Sequence, residues 1–149
     1  VGPCTGIVSK EEYNKMIEEI ILFLSRKEEK LIEILKEKMN KCAMEFNFEN
    51  AEVYFYGAIA LLQGKMPFLH MRPTIDKALS YLDTAVMIEP KGIYYYLMSY
   101  IKYDYFKRKF LNVVPDYTQL LSQAQQAGVN QSEISQLYGL LNTQRPACL

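Results

Sequence analysis

Apolar residues return every three or four positions along most of this chain, the spacing of helices that bury one face. Tyr13, Met16, Ile17, Ile20, Phe23 and Leu24 form the first such stripe, and Ser9 with Glu12 ahead of it makes a capping box. Leu31, Ile34, Leu35, Met39, Cys42 and Ala43 form a second over about 27–44, with lysine and glutamate on the outer faces. Asn47 is expected to cap a third helix carrying Ala51, Tyr54, Phe55, Ala58, Leu61 and Leu62, which Gly64 ends. The two prolines of 65–73 predict a loop. A helix then follows Pro73 and ends before Pro90, and a tyrosine-dense helix covers about 93–109. Pro115 and Asp116 open another, closed by Gly128, and Asn130 with Glu133 caps a last one bearing Ile134, Leu137, Tyr138 and Leu141. The tail, 142–149, is expected to fray. No strand pattern competes: Val113-Val114 is too short, and Tyr94-Tyr95-Tyr96 lies within a helical period. The fold class is all-α, antiparallel helical hairpins joined by short turns.

The pattern also repeats. A shift of 42 residues lays Tyr54 on Tyr96, Gly57 on Ser99, Pro73 on Pro115, Thr74 on Asp116, Leu79 on Leu121 and Ala85 on Ala127. Two helix-loop-helix units follow, about 48–90 and 92–128, that must stack to cover their apolar faces and leave a groove. Within the first, Ala78-x3-Leu82-x2-Ala85-x4-Pro90 resembles the second-helix signature of tetratricopeptide repeats, with Gly57 as the small residue of the first helix. That family's period is roughly 34 residues, so these units carry longer helices or loops. The second unit keeps Ala124 and Ala127 but lacks the closing proline. The region 48–141 is expected to be a helical repeat array of this kind.

Composition narrows the classes. Half of the 149 residues are hydrophobic, which argues against disorder, and 17 basic residues balance 17 acidic ones. Zero net charge gives no global pull toward nucleic acid or an anionic membrane. No apolar run approaches the roughly 20 residues of a membrane span. Three scattered cysteines, Cys4, Cys42 and Cys148, make no disulfide framework and suit a reducing cytoplasm. The opening Val-Gly-Pro-Cys has the character of a stretch cut from something longer.

Residues 1–52 carry a second resemblance. Gly2-Pro3-Cys4, Ile7-Val8-Ser9-Lys10-Glu11-Glu12-Tyr13 and Phe23-Leu24-Ser25 resemble the middle segment of the bacterial excinuclease protein UvrC. Met39, Phe48-Glu49 and Ala51 sit where that family has its UVR motif, a helical hairpin that pairs with a like hairpin on UvrB. Past Ala51 the chain departs: the family continues with alanine and an arginine–aspartate pair, whereas this sequence reads Glu52-Val53-Tyr54-Phe55-Tyr56-Gly57. The family's nuclease domains have no counterpart in these residues, and no cutting of DNA is expected of them. Cys4 matches the last member of a cysteine cluster that the resemblance links to an iron–sulfur centre. It would be a ligand only if an upstream cluster exists, and no metal or other cofactor is expected here.

These readings predict an interaction module and no enzyme. His70 is the single histidine and lacks partners for a triad or zinc. The seven glycines are dispersed and make no phosphate loop. Phe46 and Phe48 flank the expected hairpin corner at Asn47, where packing and docking are both open to them. The expected protein-binding residues are Phe46, Phe48, Glu49 and Ala51, with Tyr96, Tyr100 and Tyr103 lining a groove for a partner's helix or peptide. An alternative is a truncated or diverged UvrC-like protein that pairs with UvrB in nucleotide excision repair. A third reading uses Lys102, Lys107, Arg108 and Lys109 beside the tyrosines to hold single-stranded nucleic acid, although a solvated basic helix end accounts for the charges more simply.

Overall fold

Ser9 and Glu12 begin the first helix as their spacing dictates. The Ser9 N–H donates to Glu12 Oε2 at 3.0 Å, and the Glu12 N–H donates to Ser9 Oγ at 3.2 Å. The computed structural model describes residues 9–24 and 50–149, so the predicted second helix and the corner at Asn47 lie outside the described residues. Six α-helices and no strands occur among the described residues, which makes the chain all-α.

The helices are α1 (Lys10–Leu24), α2 (Ala51–Leu62), α3 (Arg72–Ile88), α4 (Gly92–Ile101), α5 (Tyr117–Gln126) and α6 (Gln131–Leu141). A short 3-10 turn, Pro67–Leu69, lies in the loop before α3, and α4 runs on into a π-helical turn, Lys102–Lys107. Consecutive helices pair as hairpins: α2 packs along α3, and α4 along α5. Helix α3 joins the two hairpins by touching α4, and α6 reaches both α2 and α4. Tyr54 and Tyr96, one repeat offset apart, are both buried in the helices that open the hairpins.

Asn50, three residues later than the sequence suggested, caps α2: its Oδ1 accepts from the Glu52 N–H at 3.0 Å. Asp116 with Gln119 and Asn130 with Glu133 close complete capping boxes on α5 and α6. Pro73 sits in the first turn of α3, where its missing N–H costs nothing.

Helices α2 and α4 form the centre. Eight of the twelve residues of α2 are buried, and nine of the ten in α4. A helix hidden on nearly every side needs neighbours all round, and α1, α3, α5 and α6 supply them. Helix α1 joins this core through Tyr13, Met16 and Ile20. The fit depends on Gly57, because a Cβ there would lie 2.9 Å from Met16 Sδ and 3.2 Å from the Tyr81 ring. Residues 10–24 are thus seated on the other described helices through α1.

The tail does not fray. Leu149 is buried against the core, and Arg145 Nε donates to its carbonyl oxygen at 2.8 Å. The neighbouring Cys148 is the leading cause of a raised phenol pKa at Tyr103. A guanidinium anchoring a carbonyl and one buried leucine hold a segment whose composition alone reads as loose.

Candidate interaction surface

The tyrosines of α4 turn out to be core. Tyr96, expected to line a groove, is buried with its ring edge-on to Tyr138 at 6.2 Å, and the two hydroxyl oxygens lie 3.3 Å apart. Tyr100, expected beside it, is buried 5.4 Å from the same ring, and its hydroxyl donates to Thr143 Oγ1 at 3.3 Å. Burial raises the phenol pKa of Tyr94, Tyr100 and Tyr138 alike. Ala51 is also buried, in the first turn of α2. Ala51, Tyr96 and Tyr100 face packing partners because their sides of α2 and α4 are covered by neighbouring helices. Tyr103 alone of the expected tyrosines is half-exposed, stacked edge-on to Tyr117 at 5.2 Å. Phe46, Phe48, Glu49 and Cys4 lie outside the described residues.

The four basic residues proposed for nucleic acid separate. Lys102 is buried, its ammonium 5.3 Å from the Phe106 ring, and burial lowers its pKa although Asp83 opposes that. Arg108 Nη1 donates to the buried Asp104 at 2.6 Å and lies 4.6 Å over the Phe68 ring. Lys109 covers Tyr105 at 3.7 Å and Phe68 at 4.9 Å. Only Lys107 is exposed with no such contact among the described residues. The cations lie against aromatic faces and one carboxylate and are not displayed as a stripe.

Asp104 organises this region. Its other oxygen accepts from the Phe68 N–H at 2.7 Å, which ties the loop before α3 to the turn after α4. Arg72 adds a second tie, 4.9 Å over Phe106 while pairing with Asp76 at 2.8 Å. His70 Nε2 donates to the Leu62 carbonyl oxygen at 2.8 Å, so the single histidine fastens the same loop to the end of α2.

Exposed apolar residues lie in the segments on both sides of these ties. Leu69 is 64% exposed, Met71 77%, Phe110 94% and Val114 88%, with Leu111 also exposed. Sequence reasoning passes over them as loop. The available signal is a run of apolar residues, Phe110-Leu111 and Val113-Val114, immediately beyond a helix end where polar residues are usual.

Elsewhere a cavity of about 170 Å³ is lined by Glu52, Tyr56, Lys91, Tyr94 and Leu137 among others, with Lys91 Nζ 3.5 Å from Glu52 and 3.1 Å from Glu89. Among the described residues no group of His, Cys, Asp and Glu could hold a metal ion, and no helix is long and apolar enough to cross a membrane.

Known proteins match only part of the chain. UvrABC system protein C of Clostridioides difficile (strain 630) is 72% identical over 54 residues, 36% of this chain and 9% of the relative. The protein of the same name from Alkaliphilus oremlandii (strain OhILAs) is 52% identical over 61 residues, 41% of this chain and 10% of the relative. The one from Alkaliphilus metalliredigens (strain QYMF) is 52% identical over 54 residues, again 36% of this chain and 9% of the relative. The chain therefore spans about a tenth of the curated relatives it matches. No family model and no solved structure matches the chain. These likenesses establish a stretch similar to UvrABC system protein C, joined to an all-α body.

Proposed function

We propose that this chain is a non-catalytic helical protein–protein interaction module that works in DNA repair in the bacterial cytoplasm. The observation that carries the reading is the 72% identity over 54 residues to a UvrABC system protein C. A stretch kept that similar retains surface as well as core, and surface retention points to a shared contact. The non-catalytic part of the proposal has support in the carboxylates that have assigned tasks: Glu12, Asp116 and Glu133 cap helices, and Asp76 and Asp104 pair with arginines. A second reading follows from the same identity: a diverged UvrC that pairs with UvrB in nucleotide excision repair.

Titration calorimetry with a synthetic UVR hairpin of UvrB tests the partner. Saturable binding, weakened about tenfold by Phe48→Ala, is the expected result. No heat change at high micromolar hairpin would remove UvrB as the partner. If a pull-down from the native cytoplasm then brought down no repair protein, the repair reading would go with it.

A further inference from the structure

Among the described residues, three helix ends close with the same pair of backbone hydrogen bonds, and one of them uses the wrong kind of residue. After α5, Gly128 N–H donates to Gln125 and Val129 N–H to Ala124; Gly128 takes the left-handed conformation at φ +81°. After α6, Asn142 fills that position at φ 54°, with Thr143 N–H reaching Tyr138. After the π turn, Phe110 N–H donates to Lys107 and Leu111 N–H to Phe106; the left-handed residue is Phe110, at φ 57°. Glycine suits this position and asparagine tolerates it, whereas a bulky side chain is strained there. Phe110 recovers nothing by packing, since its ring is almost wholly in water. A residue that is both strained and exposed is costly to the free fold, which is the circumstance in which a binding role explains it.

Its surroundings set the ligand. Leu69 and Met71 are exposed beside Phe68, whose N–H bonds Asp104 and whose ring lies 4.9 Å from the Lys109 ammonium, and the exposed Phe110 and Leu111 directly follow Lys109. Aliphatic side chains outnumber the one free ring, so the patch suits apolar side chains better than stacked bases. Arg72 and Arg108 are neutralised by Asp76 and Asp104, but Lys107 and Lys109 have no ion pair among the described residues. Two unpaired lysines are too few to hold an anionic membrane and enough to orient carboxylates beside an apolar stripe.

We infer that this patch docks an acidic amphipathic helix of a partner protein, with Phe110 as the anchor. The inference rests on the interaction-module reading and locates a surface for it away from the UvrC-like stretch.

The probe is a labelled helical peptide of about 18 residues, five turns, with leucines at i, i+3, i+4 and i+7 between glutamates. Fluorescence anisotropy on the full chain should show saturable binding, about tenfold weaker when lysines replace the glutamates. Phe110→Gly should lose about tenfold in affinity while its melting temperature holds or rises, because glycine removes the strain. Met71→Asp should weaken binding with little change in folding. Equal affinity for the acidic and basic peptides would overturn the inference, as would undiminished binding by Phe110→Gly or no binding at high micromolar peptide. Capture of phosphatidylserine vesicles or poly-dT in place of the peptide would also overturn it. Calorimetry with the UvrB hairpin on the same preparation separates the two failures: hairpin binding without peptide binding refutes the patch alone.

Discussion

The hydroxyls of Tyr96 and Tyr138 lie 3.3 Å apart inside the core, on residues 42 positions apart. Each satisfies the other where no water reaches. Tyr138→Phe should therefore strand the Tyr96 hydroxyl and cost about 1–2 kcal/mol, whereas adding Tyr96→Phe should recover part of that loss. Urea unfolding of the two single variants and the double variant closes the cycle, and simple additivity would mean that the hydroxyls do not interact.

The same burial gives the protein an alkaline limit. Tyr94, Tyr100 and Tyr138 all have raised phenol pKa values, with burial as the main cause. Between the ordinary phenol value of about 10 and the raised folded value, the unfolded chain releases protons that the folded chain keeps. Stability is thus intact below about pH 10 and falls as pH rises beyond it. At the acid end, Glu12 and Asp116 have lowered pKa values through hydrogen bonds from the backbone of Ser9 and Gln119 respectively. Their support is present above the usual carboxylate range, about pH 4, and is lost as pH falls through the lowered values. Melting temperature against pH should show a plateau that falls at both ends.

Two glycines in helices should respond in opposite ways to alanine. A Cβ on Gly92 would meet the Val129 backbone nitrogen at 2.7 Å and the Ala124 carbonyl oxygen at 2.8 Å. Backbone cannot step aside as a side chain can, so Gly92→Ala should cost about 1–3 kcal/mol. Around Gly139 nothing lies within 4 Å of the added carbon, and Gly139→Ala should gain about 0.5–1 kcal/mol from helix propensity. Thermal denaturation of the pair tests both signs at once.

Asp104 is expected to be the most sensitive side chain outside the apolar core. Asp104→Ala removes the acceptor for the Phe68 N–H and the partner of Arg108, at a cost of about 2–3 kcal/mol. Asp104→Asn keeps an oxygen for Phe68 and should cost less. Hydrogen exchange at the Phe68 amide should quicken in the alanine variant; an unchanged rate there would show that the loop is held by something else.

The parts legible in the sequence were those fixed over three or four residues. Ser9 with Glu12 and Asn130 with Glu133 close their turns through neighbours, so local spacing located them, and Asp116 was legible as a helix opener although its partner Gln119 was not. The α2 cap slipped from Asn47 to Asn50 because two asparagines stood near the boundary and only the packing of Ala51 onward decides where that helix starts. The tyrosines of α4 were misassigned for a related reason. Their density says that a helix is apolar on several faces, but whether Tyr96 and Tyr100 meet protein or a groove depends on α6, which arrives from forty residues away. The tail was misread because one guanidinium, Arg145, holds it where composition would look for apolar runs. Phe110 left no helical period to detect; its message lies in a backbone angle.

The π turn at Lys102–Lys107 has one more consequence. Arg108 N–H reaches back to the Tyr103 carbonyl, five residues away, so this stretch holds one residue more than an α-helix would use. Removing a single residue there would let the helix close normally and rotate everything after it by about 100°. Arg108 and Lys109 would swing away from Phe68, and Phe110 would point elsewhere. The orientation of that exposed ring is therefore a matter of chain length: one inserted residue aims it, and no substitution at Phe110 itself could do the same.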